Sequence, residues 1–376
     1  MGGASRAIAR RRYRRARRFH GSRRGVVAVI GTLLALLVFF ALFGIFLTQY
    51  LPLWMTDNES VFTAEAASSF AQFKAAVDAQ YILGGPQSYG TPFTVSSDGV
   101  PLLAQPTEGT LQFLPQTCPT PAYYNAAFYS PKLTLNGTAH NVPADYGQPV
   151  NPSYCVFANI TEHPGPGGIS YYSQSAPSGI LEFVLPNRYY TPETYYFEDD
   201  AVIQTQSTGY QIMAVPPPLN ITTVGNNVTV SSSFLQLFGN ATAVITQGSQ
   251  EVYSHLRFST PVSSNGGNPP KGSNVTYEIG TQNPCAWSKY LVNLVENASG
   301  FPATARIGAA GFGTDYNFNN PENGTATVSG TQTLPYTGSC YNTNGKTTVL
   351  AVTILHVSFV TVYQAGLQVS LGIGAT

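Results

Sequence analysis

Charge is scarce in this 376-residue chain, and acidic residues are missing from its first 56 positions. Only 10% of residues are charged, and none lies between Val26 and Leu47, a run of 22 residues. As a helix, such a run reaches about 33 Å, enough to cross a hydrocarbon core of about 30 Å. A secretory signal core is shorter, roughly 7 to 15 residues. The run therefore predicts a transmembrane helix, which we place at residues 26–51.

Cysteine is also rare, and all four cysteines follow the predicted span: Cys118, Cys155, Cys285 and Cys340. Their spacing lacks the paired CxxC of a zinc site, so metal binding is the weaker interpretation. An even number of cysteines in an exported region predicts two disulfides. Three connectivities are open, and we favour the pairing of nearest neighbours, Cys118 with Cys155 and Cys285 with Cys340.

Recognisable catalytic motifs are missing too. The five histidines are scattered, with no HExxH, and we find no GxSxG, P-loop, dinucleotide-binding GxGxxG or glycosidase-like carboxylate pair. We therefore predict no catalytic, cofactor-binding or metal-binding residues, and no enzyme. The one dense acidic cluster, Glu198-Asp199-Asp200, would suit Ca²⁺ in part but lacks EF-hand spacing, and a hairpin turn is the favoured interpretation.

Positive charge is concentrated at the N-terminus, where residues 1–25 form a basic leader with ten arginines. Eight basic and 18 acidic residues follow, so the net charge is +10 before the span and −10 beyond it. Since Lys and Arg next to a span stay cytoplasmic, we predict a cytoplasmic N-terminus and an extracellular C-terminal part. Nucleic-acid binding would also suit the arginines, but orientation and anionic lipid explain them, so we predict no nucleic-acid partner.

An amphipathic helix is predicted at residues 52–84, outside the membrane. Apolar residues recur there in steps of three or four that trace one helical face: Phe62, Ala66, Phe70, Phe73, Val77 and Tyr81. The helix is expected to end near Gly84-Gly85-Pro86, and Asp57 or Ser60 is a candidate N-cap. Pro52 leaves open whether the span and this helix form one kinked rod or two helices.

The remainder, residues 85–376, has the composition of a β-rich extracellular domain, with 36 Gly, 27 Pro, 23 Tyr and 21 Phe in the whole chain. Strands are predicted around 227–230, 234–238 and 348–362. The fold class is thus one transmembrane helix and one amphipathic helix followed by a mainly-β, antiparallel, sandwich-like domain. The Gly- and Pro-rich loop at 263–270 allows two β units with a boundary near 262–272.

Two further surface features are expected. Nine sequons, somewhat more than chance provides, make the following glycosylation candidates: Asn58, Asn136, Asn159, Asn220, Asn227, Asn240, Asn274, Asn297 and Asn323. Tyrosine pairs such as Tyr189-Tyr190 would either pack between sheets, the favoured interpretation, or bind sugars or a partner protein.

The N-terminus resembles that of archaeal type IV pilin-like proteins. Arg23-Arg24-Gly25 precedes Val26-Val27-Ala28-Val29-Ile30-Gly31-Thr32 and a Leu/Phe run, as in class III signal peptides. The resemblance implies that a prepilin-type peptidase cuts between Gly25 and Val26 and that the freed helix packs with others in a filament. Short motifs up to about residue 240, among them Asn187-Arg188-Tyr189-Tyr190, also resemble archaeal exported surface proteins grouped as a domain of unknown function.

These features lead to a first hypothesis of a single-pass archaeal cell-surface protein that serves as a type IV pilin-like subunit in filaments, adhesion or envelope assembly. Its expected partners are the lipid bilayer, copies of itself or related subunits, and the peptidase; no cofactor is expected. The alternatives are a membrane-anchored binding or envelope module that never polymerises and, less favoured, an anchored extracellular hydrolase.

Overall fold

A computed structural model describes residues 27–84, 87–101, 103–115, 132–138, 149–151, 156–157, 161–164, 169–175, 178–224, 227–245, 247–263, 273–281, 283–297, 308–309 and 348–372. The described residues form two compact units. The described residues up to Asn58 form one unit with Gly99–Gln105, and Glu59–Asp98 form the other with those from Pro106 onward.

The long N-terminal helix, α1, spans Val27–Leu83 and includes a π-helical turn at Phe46–Tyr50. The N–H of Leu51 donates to the carbonyl of Phe46, five residues back, directly before Pro52. A π turn is a common way for a helix to accommodate a residue without an N–H. Because the helix continues through Pro52, Asp57 and Ser60 lie in its interior, and the prediction that one of them caps a helix start was wrong.

The end of α1 is a glycine turn, as expected. Gly84 has a φ of +64°, and its N–H donates to the carbonyl of Gln80 at 3.0 Å. This backbone conformation is strained for residues with a side chain, so glycine suits the position.

Beyond α1 the described chain is mostly β, with a second helix, α2, at Pro284–Asn297. The strands are β1 Ser88–Thr94, β2 Thr110–Leu114, β3 Lys132–Thr138, β4 Pro149–Asn151, β5 Val156–Phe157, β6 Thr161–Pro164, β7 Ile169–Ser175, β8 Ile180–Leu185, β9 Glu193–Glu198, β10 Ala201–Gln206, β11 Gln211–Val215, β12 Asn220–Val224, β13 Asn227–Phe238, β14 Thr242–Ile245, β15 Ser249–Ser263, β16 Ser273–Thr281, β17 Gly308–Ala309 and β18 Thr348–Leu371. The strands predicted around 227–238 and 348–362 are confirmed within β13 and β18.

Among the described residues, three sheets form. In the largest, with ten strands, the path is β1-β15-β18-β16-β3-β7-β6, and β12, β13 and β17 join off this path. A six-stranded sheet has the order β11-β10-β9-β8-β2-β14, and β4 pairs with β5. Pairing is antiparallel except between β13 and β18, which run parallel. Since β15 and β16 both pair with β18, the strands on either side of segment 262–272 share one sheet.

The second half of α1 lies in the core that the two larger sheets build. The ring centroids of Phe70 and Phe93 of β1 are 5.2 Å apart, and those of Phe73 and Phe197 of β9 are 5.1 Å apart. The helix therefore contacts both sheets. The predicted apolar face is confirmed, because five of its residues are at most 2% exposed: Phe62, Ala66, Phe70, Phe73 and Val77.

Candidate functional site

The first half of α1 exposes an apolar surface on all its sides. Its large side chains from Val27 to Ile45 are at least 38% exposed, with Val27 at 69% and Leu37 at 64%. By length and composition, the helix is apolar enough to cross a membrane. Among the described residues, a methyl group added at Gly31 or Gly44 would meet nothing within 4 Å, so neither glycine makes a close contact with them.

The second half of α1 carries a fully buried carboxylate, that of Glu59. Its Oε2 accepts the backbone N–H groups of Tyr189 and Tyr190, both at 2.7 Å, and that of Arg188 at 3.0 Å. Its Oε1 accepts the Thr107 hydroxyl at 2.6 Å. Successive backbone N–H groups that converge on one anion form a nest, and hydrogen bonds to an ionised acceptor are stronger than neutral ones. This arrangement, the Glu59 clasp, fixes the loop after β8 to the helix.

A neighbouring amide extends the Glu59 clasp by one helical turn. The side-chain N–H₂ of Asn187 donates to the hydroxyl of Thr63 and to the carbonyl of Thr191, both at 3.0 Å. Thr63 in turn donates to the carbonyl of Glu59 at 2.9 Å. The loop of residues 187–191 is therefore held at both ends, and its geometry is preorganised rather than adaptable.

The acidic cluster Glu198-Asp199-Asp200 forms the turn of the β9–β10 hairpin, as the sequence predicts. Glu198 pairs with Ala201, and the two residues between them both have positive φ, 47° and 65°. Aspartate tolerates this region better than most residues with a side chain. The three acidic residues are at most 5% exposed, so the turn is buried, which the sequence did not suggest.

The buried turn places Asp200 against a buried lysine of α1. Lys74 Nζ lies 2.8 Å from Asp200 Oδ1 and 2.7 Å from Asp78 Oδ1. The side chains of Lys74 and Asp200 are each 5% exposed, whereas that of Asp78 is 42% exposed. Ser233 of β13 donates to Asp200 Oδ2 at 3.2 Å. We call these four residues the Lys74 cluster.

Burial dominates the electrostatics of the Lys74 cluster. It raises the pKa of Asp200 to about 6, although the nearby Lys74 ammonium lowers it. Burial lowers the pKa of Lys74, but the two carboxylates outweigh burial and hold it above its usual range. One cation thus faces one buried and one partly exposed carboxylate, and because the pKa of Lys74 stays above that of Asp200, the proton resides on Lys74.

Other buried acids are also held by hydrogen bonds. Glu198 Oε2 accepts from the Thr281 hydroxyl and from the side chain of Asn283, both at 3.0 Å. Glu193 accepts from Gln204 and Gln206. Among the described residues no group of three or more His, Cys, Asp or Glu is placed to hold a metal ion.

The predicted site residues are distributed over the whole chain. Asn58 is half-buried in α1, whereas Asn220 of β12 and Asn240 are exposed. Asn136, Asn227, Asn274 and Asn297 lie in described strands or in α2, and Asn159, Asn323, Gly25 and Val26 lie outside the described residues. Cys285 is the second residue of α2 and is disulfide-bonded. Cys118, Cys155 and Cys340 lie outside the described residues, so the pairing stays a prediction.

The Tyr189-Tyr190 pair does not pack between sheets. The two side chains are 43% and 38% exposed, while their N–H groups point to Glu59. The backbone N–H groups of this segment are thus bound to Glu59 of α1, and the two tyrosine rings face outward.

Sequence reasoning missed the two buried ionic groups of the helix. A signal was present, because Glu59 lies three residues before Phe62 and Lys74 lies four after Phe70, which places both on the apolar face. A charged residue at helical spacing within an apolar face predicts a buried partner. Asp200 and the loop at Arg188 that these two residues contact are more than 120 residues away in the sequence and carry no local mark.

Comparison with protein-family models, with curated proteins and with solved structures finds no match for this chain.

Proposed function

We propose that the protein is a single-pass membrane protein of the cell surface that serves as a type IV pilin-like structural subunit. In this proposal the arginine-rich leader is cytoplasmic, and the β-rich part, with its sequons, is extracellular and glycosylated. The peptidase removes residues 1–25, and the freed apolar helix packs with those of other subunits in a filament or envelope assembly.

The observation that carries the proposal is that the two halves of α1 have different surroundings. One unbroken helix supplies an exposed apolar run from Val27 and, from Phe62 to Val77, the buried face of a β-rich core. A helix that is apolar on all sides needs either lipid or similar helices around it. Anchoring by the second half, through the Glu59 clasp and the Lys74 cluster, suits a subunit that transmits load between a helix and its β domain.

Processing of the leader tests the proposal. The full chain is produced in cells that contain a prepilin-type peptidase, and the N-terminus of the membrane-bound product is sequenced. We expect a chain that begins at Val26. The variant Gly25→Leu should keep its leader, whereas the matched variant Gly21→Leu should be processed like the wild type. A wild-type chain that keeps its arginines while a known prepilin is cut would contradict the pilin-like function.

A second function, a membrane-anchored binding module that does not polymerise, is favoured by one observation. The loop of residues 187–191 is rigidly held while Tyr189 and Tyr190 stay exposed, and rigid tyrosines are effective contact residues for sugars and proteins. The double variant Tyr189→Ser/Tyr190→Ser distinguishes the two functions. Under the binding-module function, the variant should abolish attachment of cells to a surface coated with sugars or protein. Under the pilin-like function, attachment through these tyrosines is not required, and the variant should behave like the wild type.

A further inference from the structure

We propose that Lys74 and Asp200 form an intramolecular isopeptide bond, with Asp78 as the catalytic proton acceptor. The bond would join helix α1 to the β9–β10 turn, two points of the chain that are 126 residues apart. The ion pair that the structure shows is the reactant state of this condensation. The inference does not depend on the proposed function.

The first argument is contact under exclusion of water. Lys74 Nζ touches one oxygen of Asp200 at 2.8 Å, and both side chains are 5% exposed. Apolar rings flank the pair. Phe73 is the residue next to Lys74, Phe197 lies three residues before Asp200, and their buried rings pack against each other. Amide formation between separate amine and carboxyl groups is unfavourable in water, but here the fold holds the two groups in contact, which gives them a high effective concentration, and their burial slows the reverse hydrolysis.

The second argument is charge. The ammonium of Lys74 and the carboxylate of Asp200, each 5% exposed, carry a large desolvation cost. Condensation removes the charge of Lys74 and that of Asp200 together, and leaves only Asp78, which is 42% exposed and stays solvated. The reaction therefore relieves the buried charges that the fold has forced together.

The third argument is that each step has a group in place. Lys74 gives one proton to Asp200 Oδ1, which yields an amine and a carboxylic acid. This transfer is uphill, because the pKa of Lys74 is raised while that of Asp200 is about 6, so the reactive neutral pair is a minor species and the bond forms slowly. The Nζ–Cγ bond forms while Ser233, 3.2 Å from Oδ2, donates a hydrogen bond to the developing oxyanion. Asp78 Oδ1, 2.7 Å from Nζ, takes the second proton and passes it to the Oδ1 hydroxyl. The Cγ–Oδ1 bond breaks and one water leaves, so Asp78 is regenerated and no other reactant is needed.

Peptide mapping of the full-length protein tests the bond directly. Cleavage after aromatic residues by chymotrypsin releases residues 74–81, which contain Lys74, and residues 198–210, which contain Asp200. We expect the two peptides joined, after reduction of disulfides, with a mass one water below their sum. Fragmentation should place the junction at Asp200 rather than at Glu198 or Asp199. Recovery of the two wild-type peptides separately and in full would overturn the proposal.

Variants test the assigned roles. Lys74→Arg keeps the cation but cannot form the amide and should give separate peptides. Asp78→Asn keeps both reacting groups and should form the bond about 100-fold more slowly, the usual contribution of a positioned acid or base. Glu65→Gln, which removes an exposed carboxylate of the same helix, should link like the wild type. If Asp78→Asn forms the bond as fast as the wild type, the role assigned to Asp78 is wrong. If a variant does not fold, the peptide map of the wild-type protein alone decides whether the bond exists.

Discussion

The two halves of α1 have opposite surfaces although they belong to one helix. From Val27 to Ile45 the helix is uncharged and exposed, whereas from Glu59 to Leu83 it buries an aromatic face and two charged side chains. Within the part of the chain that the structure describes, no residue covers the first half, so its stability depends on what surrounds it. The second half is specified by its own chain, through aromatic packing and through contacts with loops that are distant in sequence.

This difference assigns different roles to the two halves of one helix. The exposed apolar surface of the first half indicates an interaction with lipid or other helices. The buried charged groups of the second half, Glu59 and Lys74, hold distant segments of the chain in place against the helix. The contrast also predicts which substitutions affect membrane residence and which affect folding.

The largest effect is expected from charges in the first half. The double variant Leu34→Arg/Leu37→Arg should lose membrane residence, because each arginine near the middle of a span costs about 3 kcal/mol. The matched variant Ile82→Arg changes a residue of the second half that is 78% exposed and should stay in the membrane. Alkaline extraction of membranes, followed by quantification of the pellet, measures both; equal extraction of the two variants would remove the contrast.

The next largest effect is expected in the aromatic core. Phe70→Ala removes a fully buried ring that contacts Phe93 and Tyr195, and should lower the free energy of unfolding by about 4 kcal/mol. Val61→Ala, at a position that is 52% exposed on the same helix, should change it by less than about 0.5 kcal/mol. Chemical denaturation in detergent, followed through the fluorescence of buried Trp287, gives the two values. A loss below about 1 kcal/mol for Phe70→Ala would show that α1 does not depend on this core.

A smaller loss is expected from the Glu59 clasp. Glu59→Gln replaces an ionised acceptor by an amide whose N–H₂ group faces N–H donors, and should cost about 3 kcal/mol. Glu65→Gln, on the exposed side of the same helix, is the control and should be nearly neutral. Hydrogen exchange of the amides of Arg188, Tyr189 and Tyr190 provides a local readout. If their protection is the same in both variants, the clasp does not hold this loop.

The smallest effect is a dependence of stability on pH. It is best measured in Lys74→Arg, which keeps the cation but cannot form the amide, so Asp200 keeps a free carboxyl group. Burial raises the pKa of Asp200 from 3.8 to about 6, so the folded state binds a proton at a pH where the unfolded chain does not. The free energy of unfolding should therefore rise as the pH falls from 7 to 5, relative to Lys74→Arg/Asp200→Asn. A rise of stability with increasing pH would contradict the assignment.

Much of the helix was predictable because its signals are local. The steps from Phe62 to Val77 have the period of a helical face, and Gly84 marks the end of the helix. The hairpin turn at Asp199-Asp200 was also predictable from residues that favour turns. The cap was mispredicted because the π turn before Pro52 lets the helix continue, and a short sequence motif does not report that adjustment.

The rest depends on contacts between distant segments. Nothing near Lys74 identifies Asp200 as its partner, and the nest around Glu59 consists of backbone N–H groups, which every sequence has. The parallel pairing of β13 with β18 likewise depends on register between strands more than 100 residues apart. These contacts need the assembled fold, in which two sheets and a helix bury one core.

Cross-linking through the exposed half of α1 tests the central claim most directly. A photoreactive residue at Leu37, a position 64% exposed, is activated in intact cells, and the products are identified by mass spectrometry. We predict adducts between copies of this chain through the apolar helix, as a filament or bundle requires. Adducts with lipid alone at Leu37, and equally at Val38 and Phe39, which are exposed on other sides of the helix, would contradict the pilin-like account and leave a monomeric membrane anchor.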